Sequence, residues 1–146
     1  MKSFFYLWVV FLGGILPLQS ILLARLSFYV SHYVSAFLNF FVGGIFLFLT
    51  ILATKGESLE IEKIQKIPYG LYLSGIIGAS FIFAAVKFVP KLGAIKWTVL
   101  IILGQLCTSL FMDHYGLFGL EKRPVNFMRV SGLILLFLGT LIVVKN

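Results

Sequence analysis

The sequence predicts an all-α integral membrane protein with five transmembrane helices. Of its 146 residues, 60% are hydrophobic and only 12% are charged, whereas a soluble domain carries about twice that charge. Apolar stretches of membrane-spanning length recur along the whole chain, and a helix of that length crosses the hydrocarbon core. The short alternating segments of a membrane β-barrel are missing from the sequence. We therefore expect one transmembrane domain over residues 1–146.

The net charge of +7 does not indicate a nucleic-acid partner, because the basic residues are dispersed along the chain. Most of them lie at the ends of apolar stretches, where they flank membrane helices and meet anionic lipid. The partner that this pattern indicates is the lipid bilayer. The single cysteine, Cys107, lies inside an apolar stretch, so we expect no disulfide framework, no metal site and no cofactor.

The first helix is predicted over residues 3–26. No small-residue cleavage site follows a short apolar core, so we interpret this segment as a retained helix and not as a signal peptide. Pro17 removes one backbone donor and should bend the helix. Trp8 and Gln19 are eleven residues apart, three helical turns, and therefore share a face.

The second and third helices are predicted over residues 33–53 and 68–89. The second carries a stripe at a spacing of four: Ser35, Asn39 and Gly43. Between the two helices, residues 54–67 are strongly polar and favour a surface loop over a short surface helix. Pro68 suits the first position of the third helix. That helix contains a cluster of small residues that would let helices approach closely in lipid: Ser74, Gly75, Gly78, Ala79 and Ser80.

The fourth helix is predicted over residues 94–112, after a tight turn at 90–93. Lys96 and Asp113 bracket sixteen uncharged residues and would stand about 26 Å apart along a helix, close to the depth of the hydrocarbon core. Gln105 lies in the middle of this stretch, so its amide is predicted near the membrane midplane. Nearly the same face carries two hydroxyl side chains, Thr98 and Thr108.

The fifth helix is predicted over residues 126–144, after a turn at 113–124. Gly132 and Gly139 are seven residues apart and share a face, which is typical of a surface for helix packing or dimerisation.

Five spans would leave the two termini on opposite sides of the membrane. Lysine and arginine then divide seven to five between the N-terminal side and the other side. This weak bias permits insertion in both orientations under the positive-inside rule.

Two segments carry a family resemblance, GIIGASFIFAAVKFVPKLGA at 75–94 and GQLCTSLFMDHYGLFGLEKRPV at 104–125. Together with the final glycine-spaced helix and Pro17-Leu-Gln19, they resemble the YdcZ-like family of inner-membrane exporters, within the drug/metabolite transporter superfamily. The resemblance covers nearly the whole chain. Family members often carry asparagine four residues after the first-helix glutamine, where this chain has Leu23. The segment after Gly93 is usually small and apolar, where this chain has Lys96 and Trp97.

This resemblance implies a fold and a function. Superfamily members with ten helices consist of two inverted five-helix repeats, and this chain resembles one such half. It would pair as an antiparallel homodimer, or with a close five-helix relative, and form a site between the two halves. The implied function is secondary transport of a small metabolite or drug-like compound across a bacterial-type inner membrane, without enzymatic chemistry. The alternative is a non-transporting membrane scaffold or regulatory subunit with one fixed orientation and a heterologous partner.

The intramembrane amides are the leading candidates for the substrate site, since an amide in the hydrocarbon core must satisfy its donors and acceptors. Gln105 has two nearly balanced interpretations, a cavity-lining substrate contact or an interhelical hydrogen bond. Gln19 and Asn39 are predicted at the same depth on antiparallel helices. A hydrogen bond between Gln19 and Asn39 is favoured over a shared cavity.

The aromatic and cationic candidates each have a second interpretation. Trp8 and Trp97 could stack on an organic or cationic substrate, but anchoring at the membrane surface is the commoner role of tryptophan. Lys96 would favour anionic substrates if it pointed inward, whereas extension to the membrane surface is the favoured interpretation.

Asp113 and His114, at the end of the fourth helix, are candidates for proton coupling. The favoured interpretation is an interfacial pair with one of three nearby cations: Lys122, Arg123 or Arg129. No aspartate or glutamate lies in the middle of a predicted helix, so coupling through a central glutamate, as in the small multidrug resistance relatives, is not expected.

Overall fold

Five α-helices make up most of the computed structural model, which describes residues 2–54 and 64–145, with side chains from residue 6 onward. The helices are α1 (Lys2–Leu26), α2 (His32–Ala53), α3 (Leu73–Leu92), α4 (Ala94–Tyr115) and α5 (Phe127–Lys145). Within the described ranges there is no strand. Each helix contributes a segment long and apolar enough to cross a membrane. The all-helical class and the five spans are thereby confirmed.

The helices fall into two compact units, Met1–Lys91 and Leu92–Asn146. The first contains α1, α2 and nearly all of α3, and the second contains α4 and α5. The single domain expected over residues 1–146 stays a prediction.

In the first unit, α1 and α2 are joined at a short corner. Ser31 caps α2, because its Oγ accepts a hydrogen bond from the backbone N–H of Val34 at 3.3 Å. Ser35, one turn later, is fully buried, and its hydroxyl donates to the Leu23 carbonyl oxygen at 3.1 Å. This bond fixes the start of α2 against the end of α1.

The third helix contacts α2 through aromatic rings. The rings of Tyr33 and Phe83 stack with centroids 4.7 Å apart. The Phe40 ring lies 3.8 Å from the position that a Cβ on Gly78 would occupy. The buried apolar side chains of this unit are small or branched, which suits close helix packing in lipid: Leu23, Ala24, Ala36, Ala85, Val86 and Val89.

In the second unit, α4 and α5 form an antiparallel hairpin joined by residues 116–126. Gly116 ends α4 in the left-handed conformation, with φ 64°, and its N–H bonds to the Met112 carbonyl. A Cβ there would lie 3.1 Å from the Leu120 carbonyl oxygen, so the backbone conformation and this contact both favour glycine. Asn126 caps α5, because its side-chain oxygen accepts from the Arg129 N–H at 2.9 Å.

Both predicted ends of the third helix are wrong. The third α-helix does not begin at Pro68; a 3₁₀ turn at Tyr69–Tyr72 comes first, and α3 continues through Pro90 to Leu92. Pro90 has no N–H to donate to the Val86 carbonyl, yet the helix continues for two residues beyond it. The helix ends at Gly93, whose φ of 81° is incompatible with helical geometry.

The fourth helix extends to Tyr115 and not only to residue 112, because the terminating left-handed residue is Gly116. The predicted turn at 113–124 therefore starts later, and both Asp113 and His114 lie inside the last turn of α4. The remaining helix ends agree with prediction to within one residue. Most of the polar segment predicted as a loop, 55–63, lies outside the described residues.

Candidate functional site

A groove between α1 and α2 contains the only two amide side chains of these helices, Gln19 and Asn39. The cavity has a volume of about 760 Å³. Its other lining residues are apolar: Ile15, Leu18, Leu22, Leu23, Leu26, Leu38, Val42, Gly43 and Phe46. We call this the α1–α2 groove.

The two amides bond to each other across the groove. Nε2 of Gln19 donates to Oδ1 of Asn39 at 3.4 Å, which confirms the predicted hydrogen bond. A primary amide has two N–H donors and one acceptor oxygen, so a single bond uses only part of the capacity of each side chain. The pair therefore joins two helices and also presents polar atoms to an otherwise apolar groove.

Gln105 lies eleven residues after Ala94 and ten before Tyr115, in the middle of α4. Its side chain is exposed, and it has no hydrogen bond to any described residue. Thr98 is half-buried and Thr108 is exposed on the same helix. Two of the three residues on the polar face predicted for α4, Gln105 and Thr108, are thus exposed, and both interpretations of Gln105 stay predictions.

Lys96 has a contact that the sequence did not predict. Its Nζ donates to the carbonyl oxygen of Val144 at 3.1 Å, and its side chain is half-buried. Val144 belongs to the last turn of α5, where carbonyl groups lack helical partners and the helix dipole is negative. Lys96 therefore caps the C-terminal end of α5. The two partners are 48 positions apart in the sequence, so no local sequence pattern predicts this contact.

The two tryptophans differ in exposure. Trp8 is 51% exposed, and its ring meets Phe11 edge-on with centroids 6.0 Å apart. Trp97 is only 8% exposed. Trp8 can anchor at a membrane surface or stack on a ligand, whereas Trp97 presents little of its indole to either.

Asp113 and His114 tie the end of α4 to the following loop and to α5. The Asp113 carboxylate lies 3.6 Å from the Arg129 guanidinium, which confirms the predicted ion pair with one of the three nearby cations. His114 Nδ1 accepts the backbone N–H of Val125 at 3.2 Å. The Asp113 carbonyl oxygen accepts the backbone N–H of Arg123 at 2.8 Å. These contacts support a structural role, and the coupling role stays a prediction.

A second ion pair lies in the α4–α5 loop, between Arg123 and Glu121 at 2.8 Å. The hydrogen bond and positive charge of Arg123 lower the pKa of the Glu121 carboxyl. Both side chains are well exposed, so this pair contributes little to stability.

A second groove lies between α4 and α5, with a volume of about 410 Å³. Its lining residues are Leu106, Ser109, Leu110, Asp113, Met128, Arg129, Gly132 and Leu133. We call this the α4–α5 groove. The sequence predicts Arg129 only as a possible ion-pair partner of Asp113 and His114. Its position beside the groove depends on how the two helices pack.

The four glycines predicted for packing do not behave alike. Gly78 faces Phe40, as described above, whereas Cβ positions on Gly75, Gly132 and Gly139 would meet nothing within 4 Å. The faces of these three glycines are open, and dimerisation through them stays a prediction. Across the described residues, no group of three or more metal-ligating side chains comes together.

Comparison with known proteins identifies the family. Residues 4–142 match the family described as "Putative inner membrane exporter, YdcZ". The chain belongs to this YdcZ family. It is 27% identical over 132 residues to the inner membrane protein YdcZ of Escherichia coli (strain K12), covering 90% of this chain and 88% of that relative. No solved structure matches.

The YdcZ family assignment and the five apolar helices establish a multi-pass inner membrane protein. The family description is that of an exporter and not of an enzyme. The resemblance drawn from residues 75–94 and 104–125 is confirmed.

Proposed function

We propose that this YdcZ-family protein is one half of a secondary transporter that exports a small metabolite or drug-like compound. Two copies in opposite orientations would form the working unit, and alternating access would move the substrate through a polar cavity between them. The observation that carries the proposal is the exposed Gln105 amide in the middle of α4.

An exposed amide at that depth requires a partner. Transferring an amide from water into an apolar environment without a hydrogen bond costs about 2–7 kcal/mol, depending on the reference state. The Gln105 side chain has no hydrogen bond to any described residue. A water-filled cavity, a substrate or a second copy would satisfy it.

An antiparallel pair would place two Gln105 side chains at nearly the same depth, because the residue lies at the middle of its helix. The seven-to-five distribution of basic residues supports insertion in both orientations. In such a pair the two amides could line one cavity.

The volume and lining of the α1–α2 groove indicate which kind of substrate would bind there. Its volume of about 760 Å³ falls within the range of small-molecule sites, roughly 300–1,000 Å³. An apolar wall with one pair of amides favours a compound that is mostly apolar and offers a few hydrogen-bonding groups.

The test is transport by purified protein in liposomes, with a panel of radiolabelled metabolites and fluorescent drug-like compounds. Gln105→Ala should lower the transport rate about tenfold or more if the amide contacts the substrate through one strong hydrogen bond. Cys107→Ala changes an exposed neighbour on the same helix and should leave the rate near that of the wild type. Two results together would contradict the proposal: no compound of the panel is moved, and host cells that express Gln105→Ala are as drug-resistant as cells that express the wild type.

A further inference from the structure

The α4–α5 groove, like a lipid molecule, has an apolar part and a charged end. Its inner part is lined by Leu106, Leu110 and Leu133, and Gly132 leaves open space beside them. Its outer part, in the last turn of α4 and the first turn of α5, carries the charged side chains Asp113 and Arg129. An amphiphile with one acyl chain inside and a charged head outside matches this arrangement.

We propose that the α4–α5 groove binds an anionic phospholipid, with an acyl chain along the apolar part and the lipid phosphate on Arg129. This site is separate from the α1–α2 groove and does not depend on the proposed transport function.

Arg129 has the hydrogen-bonding capacity for a phosphate. Its Nη1 lies 3.6 Å from Asp113 Oδ2 and 3.3 Å from the Arg123 carbonyl oxygen. Within the described residues, its Nε and Nη2 have no hydrogen-bond partner. A guanidinium carries five N–H donors in a planar fork that matches phosphate oxygens. The side chain is 34% exposed, so a head group can reach it.

The charge around the outer end of the groove favours an anion. The residues near this end include two carboxylates and three cations. These are Asp113 and Glu121, and Lys122, Arg123 and Arg129. His114 Nδ1 accepts a hydrogen bond from the Val125 N–H there. Glu121 already pairs with Arg123 at 2.8 Å, which leaves a net positive charge at this end of the groove. An anionic lipid gains more from this field than a zwitterionic lipid does.

The α4–α5 loop and the first residues of α5 also carry exposed apolar side chains. Phe118 is 88% exposed, Phe127 is 84% exposed and Met128 is 77% exposed. Exposed apolar side chains beside arginine and lysine are typical of the boundary between head groups and acyl chains. The outer end of the groove therefore lies where a lipid phosphate would be.

Native mass spectrometry of the full-length protein tests the proposal. The protein is released from micelles containing equal amounts of phosphatidylglycerol and phosphatidylcholine with identical acyl chains. We expect the wild type to retain phosphatidylglycerol in preference to phosphatidylcholine. Arg129→Gln should lower that preference about tenfold, the loss expected for a charge-assisted hydrogen bond. Arg123→Gln removes a cation from the loop that precedes α5, outside the groove, and should lower the preference much less.

A second pair of variants tests the apolar part. Ser109 lines the groove, so Ser109→Leu should fill it and reduce retention of both lipids. Cys107→Leu adds a similar side chain at an exposed position of α4 that does not line the groove, and it should retain lipid as the wild type does. Circular dichroism and size-exclusion chromatography show whether each variant is folded and whether its oligomeric state has changed.

Equal retention of the two lipids by the wild type would overturn the proposal. The same would hold if Arg129→Gln and Arg123→Gln had equal effects. If Ser109→Leu dissociated a dimer and left lipid retention unchanged, the occupant of the groove would be a second copy of the chain and not a lipid. Should Ser109→Leu fail to fold, the arginine pair still decides the question, because neither arginine is buried.

Discussion

At the scale of single residues, the Gln19–Asn39 pair shows how polar side chains are accommodated in an apolar groove. Each amide meets the other at 3.4 Å, and the remaining polar atoms stay available. In lipid, interhelical hydrogen bonds of this kind contribute on average about 0.6 kcal/mol. The pair therefore stabilises the packing of α1 on α2 modestly and can still contact a ligand.

A double-mutant cycle measures this bond. We expect Gln19→Leu and Asn39→Leu each to lower the free energy of unfolding by about 1 kcal/mol, because each leaves one amide without its partner. The double variant should lose less than the sum, with a coupling of about 0.6 kcal/mol. Denaturant unfolding in mixed micelles gives the values. Ser20→Ala, which removes only a bond to the Leu16 carbonyl of its own helix, serves as the control. Additive effects of the two leucine substitutions would show that the amides do not interact.

A second prediction concerns the lysine that caps α5. Lys96→Met keeps most of the aliphatic side chain but removes the hydrogen bond to the Val144 carbonyl. The end of α5 should fray, and hydrogen exchange of its last amides should rise about two- to fivefold, the equivalent of 0.3–1 kcal/mol. Mass-spectrometric hydrogen exchange measures the change.

Lys91→Met, at the exposed end of α3, is the matched control for that substitution. Hydrogen exchange of the α5 amides should be unaffected in the Lys91→Met variant. An equal rise in both variants would mean that the loss of any surface cation, and not the cap, causes the effect.

At the scale of elements, glycines determine where α3 and α4 end. Gly93 separates α3 from α4 with φ 81° and ψ 156°, a conformation that is essentially restricted to glycine. A Cβ at this position would meet nothing within 4 Å, so any cost of substitution arises from the backbone and not from a clash.

Gly93→Ala should therefore lower the free energy of unfolding by about 1–3 kcal/mol. Gly104→Ala is the control, since Gly104 lies inside α4 and a Cβ there would also meet nothing. That change should be neutral or stabilising by up to about 1 kcal/mol. Thermal unfolding followed by circular dichroism compares the two. A Gly93→Ala variant as stable as Gly104→Ala would refute the strained-backbone interpretation.

The same elements show what the sequence can predict. The five spans follow from hydropathy, because membrane thickness fixes the length of an apolar helix. Proline misled the prediction of helix ends: Pro90 lies inside α3, and Pro68 precedes a 3₁₀ turn. The Gln19–Asn39 bond was predictable because two neighbouring antiparallel helices bring together residues that lie at the same depth in the membrane. The Lys96 cap and the position of Arg129 beside a groove depend on packing between residues distant in sequence, which no local pattern reports.

At the scale of the whole molecule, apolar side chains are exposed along the spans, as expected where lipid and neighbouring chains replace water. Dual topology gives a direct prediction for the assembled protein. Reporter fusions to the C-terminus should be active both with a cytoplasmic reporter and with a periplasmic one. One added lysine at the N-terminal side should shift the ratio strongly, because the seven-to-five bias is close to balance.

The native C-terminal fusion gives the decisive comparison. Activity from only one reporter would contradict the antiparallel homodimer and would favour a fixed-orientation subunit or a heterodimer.

The bond between Lys96 and Val144 gives that experiment an internal standard. This hydrogen bond joins the first turn of α4 to the last turn of α5. The start of α4 and the end of α5 must therefore lie on the same side of the bilayer in every inserted molecule. A probe at the start of α4 and a reporter at the C-terminus should thus always agree, however the population divides between orientations. Disagreement between them would identify chains that were inserted incompletely, and these molecules could be excluded before the two orientations are counted.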